Sequence, residues 1–290
     1  MTDHLLRRGL PLAVLLAATL ASSTASATDW SDNSFSWRFG NAFREPFNSK
    51  EIRKNIFAYT HASGYQYGSN YLNLDLLKSD ENDPLSLGDN EGAREAYLVY
   101  RHTLDIGKIS GRDMSFGAVS GVGVTLGFDL NNKHDVGYNS RKRMLVAGPT
   151  LMWKVPGFLN TSLLLAHESN APSGAFAPIA NVQGRYTYDV HPVLNASWGI
   201  PVSRLWSFEG YANIIASKGV DEVGNDTGPE TNIDMQMMFD AGAALGYKKN
   251  VFRIGFQYQY WNNKFGNTSL TTNGQGFRAN TPMVRAEYHF

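Results

Sequence analysis

The segment VFRIGFQYQYW (251–261) alternates without a break. Phe252, Ile254, Phe256, Tyr258 and Tyr260 fall on one parity, and Arg253, Gly255, Gln257, Gln259 and Trp261 on the other. A period of two is the signature of a β-strand whose two faces meet different surroundings. The division recurs along the chain. GVGVTLGFDL (121–130) sets Val122, Val124, Leu126, Phe128 and Leu130 against Gly123, Thr125, Gly127 and Asp129. YLNLDLL (71–77) sets Leu72, Leu74 and Leu76 against Asn73 and Asp75. The closing TPMVRAEYHF sets Val284, Ala286, Tyr288 and Phe290 against Arg285, Glu287 and His289. About twelve segments read as strands, centred on 34–40, 55–61, 71–77, 95–101, 121–130, 144–155, 161–169, 186–200, 207–217, 234–247, 251–261 and 281–290, with no competing 3.6-residue period.

Residues 1–27 read as a cleaved signal peptide. His4, Arg7 and Arg8 precede an apolar run from Leu10 to Leu20, and Ala25-Ser26-Ala27 gives the small-x-small cleavage pattern. That run is shorter than the ~20 residues a membrane-spanning helix needs, and no later stretch approaches ~18 uninterrupted apolar residues. A membrane role for the mature chain therefore rests on a closed barrel or a lipid anchor. The chain has no cysteine, the residue a lipoprotein acylates. Charge balances at 26 basic and 26 acidic residues, so no basic stripe points to nucleic acid. Abundant glycine (28) and aromatics (16 Phe, 14 Tyr, 6 Trp) suit many strands and tight turns.

The connections sort by length. Long polar ones at 41–52, 78–90, 131–142, 170–181, 219–231 and 264–276 alternate with short ones at 63–69, 156–160, 201–204 and 248–250; only 105–116 is long where a short turn is expected. Outer-membrane barrels sort their connections this way, with short turns and both termini on the periplasmic side. Aromatics close the apolar parities (Tyr186, Tyr188, Tyr258, Tyr260, Tyr288, Phe290), as interfacial girdles do. Residues 28–290 are therefore expected to form one all-β domain, a transmembrane antiparallel barrel of about 12 strands in a bacterial outer membrane. It meets lipid and lipopolysaccharide, and its terminal Phe290 is the type of signal that barrel assembly machinery reads.

Parity places Arg38, His61, Asp75, Glu95, Arg101, Asp129, Asp189, His191, Glu209, Asp240, Arg253, Arg285, Glu287 and His289 inward, with the aromatics Phe57, Tyr59, Tyr97, Tyr211 and Trp261. The signs are mixed, so the charges can pair and leave no ring of one sign to select ions. Stacking faces beside hydrogen-bonding groups suit a planar, uncharged, polar solute. Asp221, Glu222, Asp226 and Glu230 crowd one outer loop, but their spacing is not that of a calcium loop. They read as a solvated loop, and no metal, cofactor or catalytic site is expected.

The openings DWSDNSFSWRFG and SKEIRKNIFAYTHA, and the turn GRDMSFGAV (111–119), resemble the Tsx-type nucleoside-specific channels of Gram-negative outer membranes. The resemblance extends over the mature chain in strand count and loop order. It implies a passive nucleoside channel with aromatic and ionisable side chains along the lumen, and possession of surfaces that phage use as receptors. It also implies Phe39 near the substrate path, against the lipid-facing parity of that residue; Tyr59 and His61 stand where the family's second strand is acidic. A rival sits in LLLAHESNAPSG (163–174). His167-Glu168-Ser169-Asn170 resembles the His-x-Ser-Asn of outer-membrane lipid hydrolases, in which a histidine activates a serine hydroxyl on the barrel's outer face. A third reading is a barrel serving mainly in adhesion or phage attachment.

Overall fold

A computed structural model describes residues 28–83, 91–174 and 184–290; the expected signal peptide lies outside the described residues. Twelve long strands follow in order: β1 (Thr28–Phe43), β2 (Ile52–Tyr65), β3 (Gly68–Ser79), β4 (Arg94–Asp105), β5 (Val119–His134), β6 (Arg143–Trp153), β7 (Phe158–Asn170), β9 (His191–Pro201), β10 (Trp206–Ile215), β11 (Glu230–Asp240), β12 (Phe252–Asn262) and β13 (Arg278–His289). A two-residue strand, β8 (Tyr186–Thr187), extends the loop end of β7. Each long strand pairs antiparallel with its chain neighbours, β7 with β9, and β13 returns to β1. The ring is closed. Closure gives every strand a partner on both sides, which is what hydrocarbon demands of an exposed backbone.

The ladder is interrupted where the sequence removes a donor. β6 and β7 pair from Arg143↔Ser169 to Ala147↔Leu165 and resume at Thr150↔Ser162. Pro149, lacking an N–H, falls in the gap.

The long connections, in their described parts (44–51, 80–83, 91–93, 135–142, 171–174, 184–190, 216–229, 263–277), lie at one end of the barrel. At the other end lie 66–67, 106–118, 154–157, 202–205 and 241–251, together with both ends of the described barrel. The long 106–118 turn contains a short helix, Ile106–Ser110, whose first turn is capped by Asp105 accepting from the Lys108 N–H (3.1 Å). The apolar segment 234–247 does not continue as strand. Asp240 accepts from the N–H groups of Ala243 (2.9 Å) and Asn250 (2.7 Å) and turns the chain into a second short helix, Ala241–Ala244. The segment 186–200 is likewise broken, with β9 starting only at His191.

The outward parity is the greasy one. Phe35 (57 % exposed), Leu145 (62 %) and Phe256 (71 %) belong to a band of large apolar side chains around the wall. Water would meet an apolar surface far larger than the few hundred Å² a soluble monomer shows; acyl chains remove that penalty.

Candidate transport lumen

Cross-strand register decides which residues face inward, because directly paired residues share a face. The row Arg38↔Arg285↔Gly255 and the row Ala58↔Asp75↔Tyr97 place Arg38, Asp75, Tyr97 and Arg285 inside. Glu95, Arg101, Glu209, Tyr211, Arg253, Trp261 and Glu287 follow by the same pairing. Asp240 shares their parity at the turn end, where its carboxylate is committed to the backbone amides already described.

Four candidates face the other way. Phe39 stacks on Trp37, and Phe57 is 57 % exposed on the outer wall. Tyr59 tilts against Phe35, and Tyr59 Oη donates to Asn33 Oδ1 (2.8 Å), which His61 also contacts at 2.9 Å. The inward parity of β2 is instead Ile52, Lys54, Ile56 and Ala58, all buried. The segment carries apolar residues on both parities, so alternation alone did not fix its sides. Its bulky aromatics go to lipid. Its inner residues pack with Phe43, Met283 and Leu77 beneath the first loop. Tyr188, expected in the lipid girdle, is buried under the loops; its hydroxyl donates to Glu222 Oε2 (2.5 Å).

From mid-height down to the turn end the wall charges are paired in three groups. Arg38 pairs with Asp75. Arg101 Nη1 donates to Asp129 Oδ1 (2.5 Å), and Tyr97 Oη to Asp129 Oδ2 (2.8 Å). Gly127 makes the first of these contacts possible, since a Cβ there would meet the Tyr100 carbonyl at 2.3 Å and Arg101 Cδ at 2.7 Å. Arg253 donates to both oxygens of Glu209 (2.6 and 2.8 Å) and to Glu287 (2.5 Å), which also receives Arg285 Nε (2.5 Å) and lies 3.2 Å from His289 Nε2. Fork-shaped guanidinium contacts of this kind fix geometry as well as charge.

Beside the charges runs a row of amides, Asn195↔Asn213↔Asn232↔Trp261, each in direct register with the next. Asn195 Nδ2 donates to Asn213 Oδ1 (2.7 Å), and Trp261 Nε1 to Glu230 (2.5 Å). Asp234, one step below, accepts from Gln257 (2.5 Å) and Gln259 (3.3 Å). Asp234 and Gln257 are buried, but Tyr71, which shares the inward parity through Tyr71↔Arg101, exposes 42 % of its surface.

The loop end is built differently. Glu45, from the connection 44–51, accepts from Lys54 (2.7 Å) and lies 3.2 Å from Lys264 Nζ in the connection 263–277. Asp83 accepts from Lys133 (2.6 Å) and lies 3.6 Å from Lys54. Lys54 is only 3 % exposed. Burial alone would raise Glu45, but Lys264 and Lys54 hold its carboxyl well below the usual range. Burial, opposed by Glu45, leaves the Lys264 ammonium below its ordinary value. Across the mouth, Glu168 receives Lys218 (2.8 Å) and Lys142 (3.3 Å). Glu222 is not solvated as expected: it accepts from Tyr138 (2.6 Å) as well as Tyr188. Sequence reasoning missed Lys54, Glu45, Asp83 and Lys264 because three of the four lie on or beside loops, where parity has no meaning. Among the described residues no group of three or more His, Asp or Glu side chains is placed to hold a metal ion.

His167 and Ser169 do share the outer face, in the pairs Leu145↔His167 and Arg143↔Ser169. No hydrogen bond joins them among the described residues. Ser169 Oγ instead accepts from Arg185 Nη1 (3.1 Å).

A closed ring of twelve long antiparallel strands, apolar outside and polar inside, with both ends of the described barrel at the end opposite the long loops, defines a β-barrel of the bacterial outer membrane. No protein-family model matches the chain, and no curated protein matches it. Among solved structures it is similar to an outer-membrane channel of Pseudomonas putida F1 (TM-score 0.49, 11% identity, 92% of this chain and 97% of that one). It is also similar to the translocator domain of the autotransporter NalP from Neisseria meningitidis (TM-score 0.46, 11% identity, 96% and 93%) and to the KdgM porin (TM-score 0.42, 8% identity, 89% and 99%). At such identities and scores none of these assigns a cargo.

Proposed function

We propose that the protein is a passive outer-membrane channel for small neutral polar solutes, with nucleosides as the preferred class. The observation that carries the reading is the half-exposed Tyr71 inside a wall whose charges are already paired. The exposed tyrosine leaves room for a solute, yet no ring of one sign is left to hold an ion. Tyr97, Tyr211 and Trp261 add stacking faces, and the Asn195–Asn213–Asn232 row adds donors and acceptors at the spacing of neighbouring strands. A base stacked on one of these rings gains about 0.5–1.5 kcal/mol beyond area burial, enough to select and weak enough to release. Solutes cross down their own gradient.

Single-channel conductance in planar bilayers tests this. Adenosine or thymidine is expected to block the ion current at concentrations where glucose does not. Tyr211→Ala is expected to weaken blockade about two- to tenfold, the equivalent of one aromatic contact. A current blind to every nucleoside would remove the solute assignment and leave only the barrel.

A further inference from the structure

The outer wall carries one arginine cluster that the lumen does not use. Arg143 begins β6 on the outward parity, in register with Ser169 of β7. Arg141 stands two residues before it and Arg185 just before β8; all three are exposed. Arg185 Nη1 donates to the Arg141 carbonyl (2.9 Å), the Ser169 carbonyl (3.3 Å) and Ser169 Oγ (3.1 Å). These contacts hold the Arg185 guanidinium against the backbone between Arg141 and Ser169, where the charges of Arg141 and Arg143 bear on it. Among the described residues no carboxylate lies within ion-pair distance of any of the three, and the adjoining residues 175–183 contain no Asp or Glu. Asp189, the nearest acid in sequence to Arg185, forms no ion pair with any of the three, and Glu168, beside Ser169, points to the lumen and is held there by Lys142 and Lys218. Burial, then the charges of Arg143 and Arg141, pull the Arg185 guanidinium below its ordinary value. Three exposed like charges, two of which bear on the third, mark a place for an anion.

The surroundings identify which anion. Directly below, on the same outer face, Leu145 (62 % exposed) and Leu165 (59 %) lead down the wall toward mid-membrane. The cluster itself sits at the loop end, the level of the outer leaflet's headgroups. A ligand meeting both needs phosphate above and acyl chain below. Guanidinium forks match phosphate oxygens two at a time.

We propose that Arg141, Arg143 and Arg185 form a binding site for the phosphates of lipid A, the acylated glycolipid anchor of lipopolysaccharide, with its acyl chains on Leu145 and Leu165. On this reading the His167–Ser169 stretch serves as floor and hydrogen-bonding brace of a lipid site. The site is independent of what passes through the lumen.

The test uses the purified barrel in detergent, titrated with bisphosphorylated lipid A and followed by native mass spectrometry. The expected result is that R141Q/R143Q loses at least tenfold in affinity, while R278Q, an outward arginine on β13, binds as the unaltered protein does. Arg143→Lys should fall between them, because it keeps the charge and loses the fork. Lipid A stripped of phosphate should bind the unaltered protein and the double variant equally. Equal binding of bisphosphorylated lipid A by both proteins overturns the proposal, as does an equal loss in R278Q. Displacement of lipid A by inorganic phosphate at equal concentration would assign the arginines to a free anion and overturn it too. Should R141Q/R143Q fail to fold, judged by heat-modifiable gel mobility, R143K and the dephosphorylated lipid decide the question alone.

Discussion

The mouth and the waist of this barrel both bury charge, and they do it with different cations. At the waist, the lumen wall from mid-height down to the turn end, the ion-paired guanidiniums are all rooted in strands: Arg38, Arg101, Arg253 and Arg285. At the mouth every buried cation is a lysine: Lys54, Lys133, Lys142, Lys218 and Lys264. The waist keeps some water, with Arg101 25 % and Glu209 22 % exposed, whereas Asp83 at the mouth has none. Guanidinium forks suit carboxylates fixed on neighbouring strands; an ammonium is a compact charge reachable from several sides. The waist network therefore sets wall geometry, and the mouth network holds loops down on a wall. If that contrast is right, breaking the mouth frees loops and changes access. Breaking the waist leaves access alone and changes selectivity.

The largest effect is expected from Lys54→Met. It leaves Glu45 with Lys264 and Asp83 with Lys133, each short of one cation in a nearly dry site, and removing one partner of a buried pair costs about 3–5 kcal/mol. The connection 44–51 should become cleavable by protease and single-channel conductance should rise, with the barrel still folded. Wild-type cleavage and conductance together would show that the loops are held by something else. Acid should approach the same state more gradually. The Glu45 carboxyl is held below its ordinary value, so its contribution is complete above the usual carboxylate range and is lost as pH falls through the depressed folded value. Conductance should stay flat from neutral pH down to the ordinary carboxylate range and climb only beneath it. A rise beginning near pH 6 would point to a histidine and break the account.

The waist should answer more mildly. Arg253→Gln leaves Glu287 with Arg285, while Glu209 retains Ser207 (2.6 Å), Gln236 (2.9 Å) and partial access to water. A stability loss of about 1–3 kcal/mol is expected, the range for a hydrogen-bonded charged group. The clearer readout is electrical: a lumen with one fewer positive charge should shift its reversal potential toward cation preference at unchanged protease resistance. Loop cleavage in this variant would erase the distinction between the two regions.

Legibility in the sequence followed the same boundary. Within the strands, alternation revealed the barrel and most of the waist, because a greasy and a wet parity oppose each other in β3, β5, β12 and β13. It failed in β2, where Ile56 and Phe57 are both apolar and only size tells them apart: the smaller chain fits the crowded interior and the larger meets lipid. It failed again at Asp240, whose side chain turns the backbone into a helix in the midst of an apolar run. The mouth was illegible for a different reason. Glu45, Asp83 and Lys264 meet across long separations in sequence through connections of no fixed period, and nothing local announces such a meeting. Tyr188 shows the cost, since an aromatic near a strand end reads as girdle until the loops are seen to cover it.

The smallest effect should come from a place belonging to neither region. Phe290 stacks on Phe35 across the β1–β13 closure, with ring centroids 5.3 Å apart, and lies 6.3 Å from Tyr288. Both rings are outward, at the turn end, away from every charge discussed. Phe290→Ala is expected to cost about 0.5–1.5 kcal/mol, the value of an aromatic pair beyond simple burial, read as a lower urea midpoint for unfolding from vesicles. A double-mutant cycle with Phe35→Ala should recover most of that as coupling energy. Because the two rings face lipid while Arg38, Arg285 and Glu287 on the same two strands face the lumen, conductance, protease resistance and ion preference should all remain those of the unaltered protein. A change in any of them would mean that the wall transmits strain from its seam, and that mouth and waist are not the separable parts their cations make them.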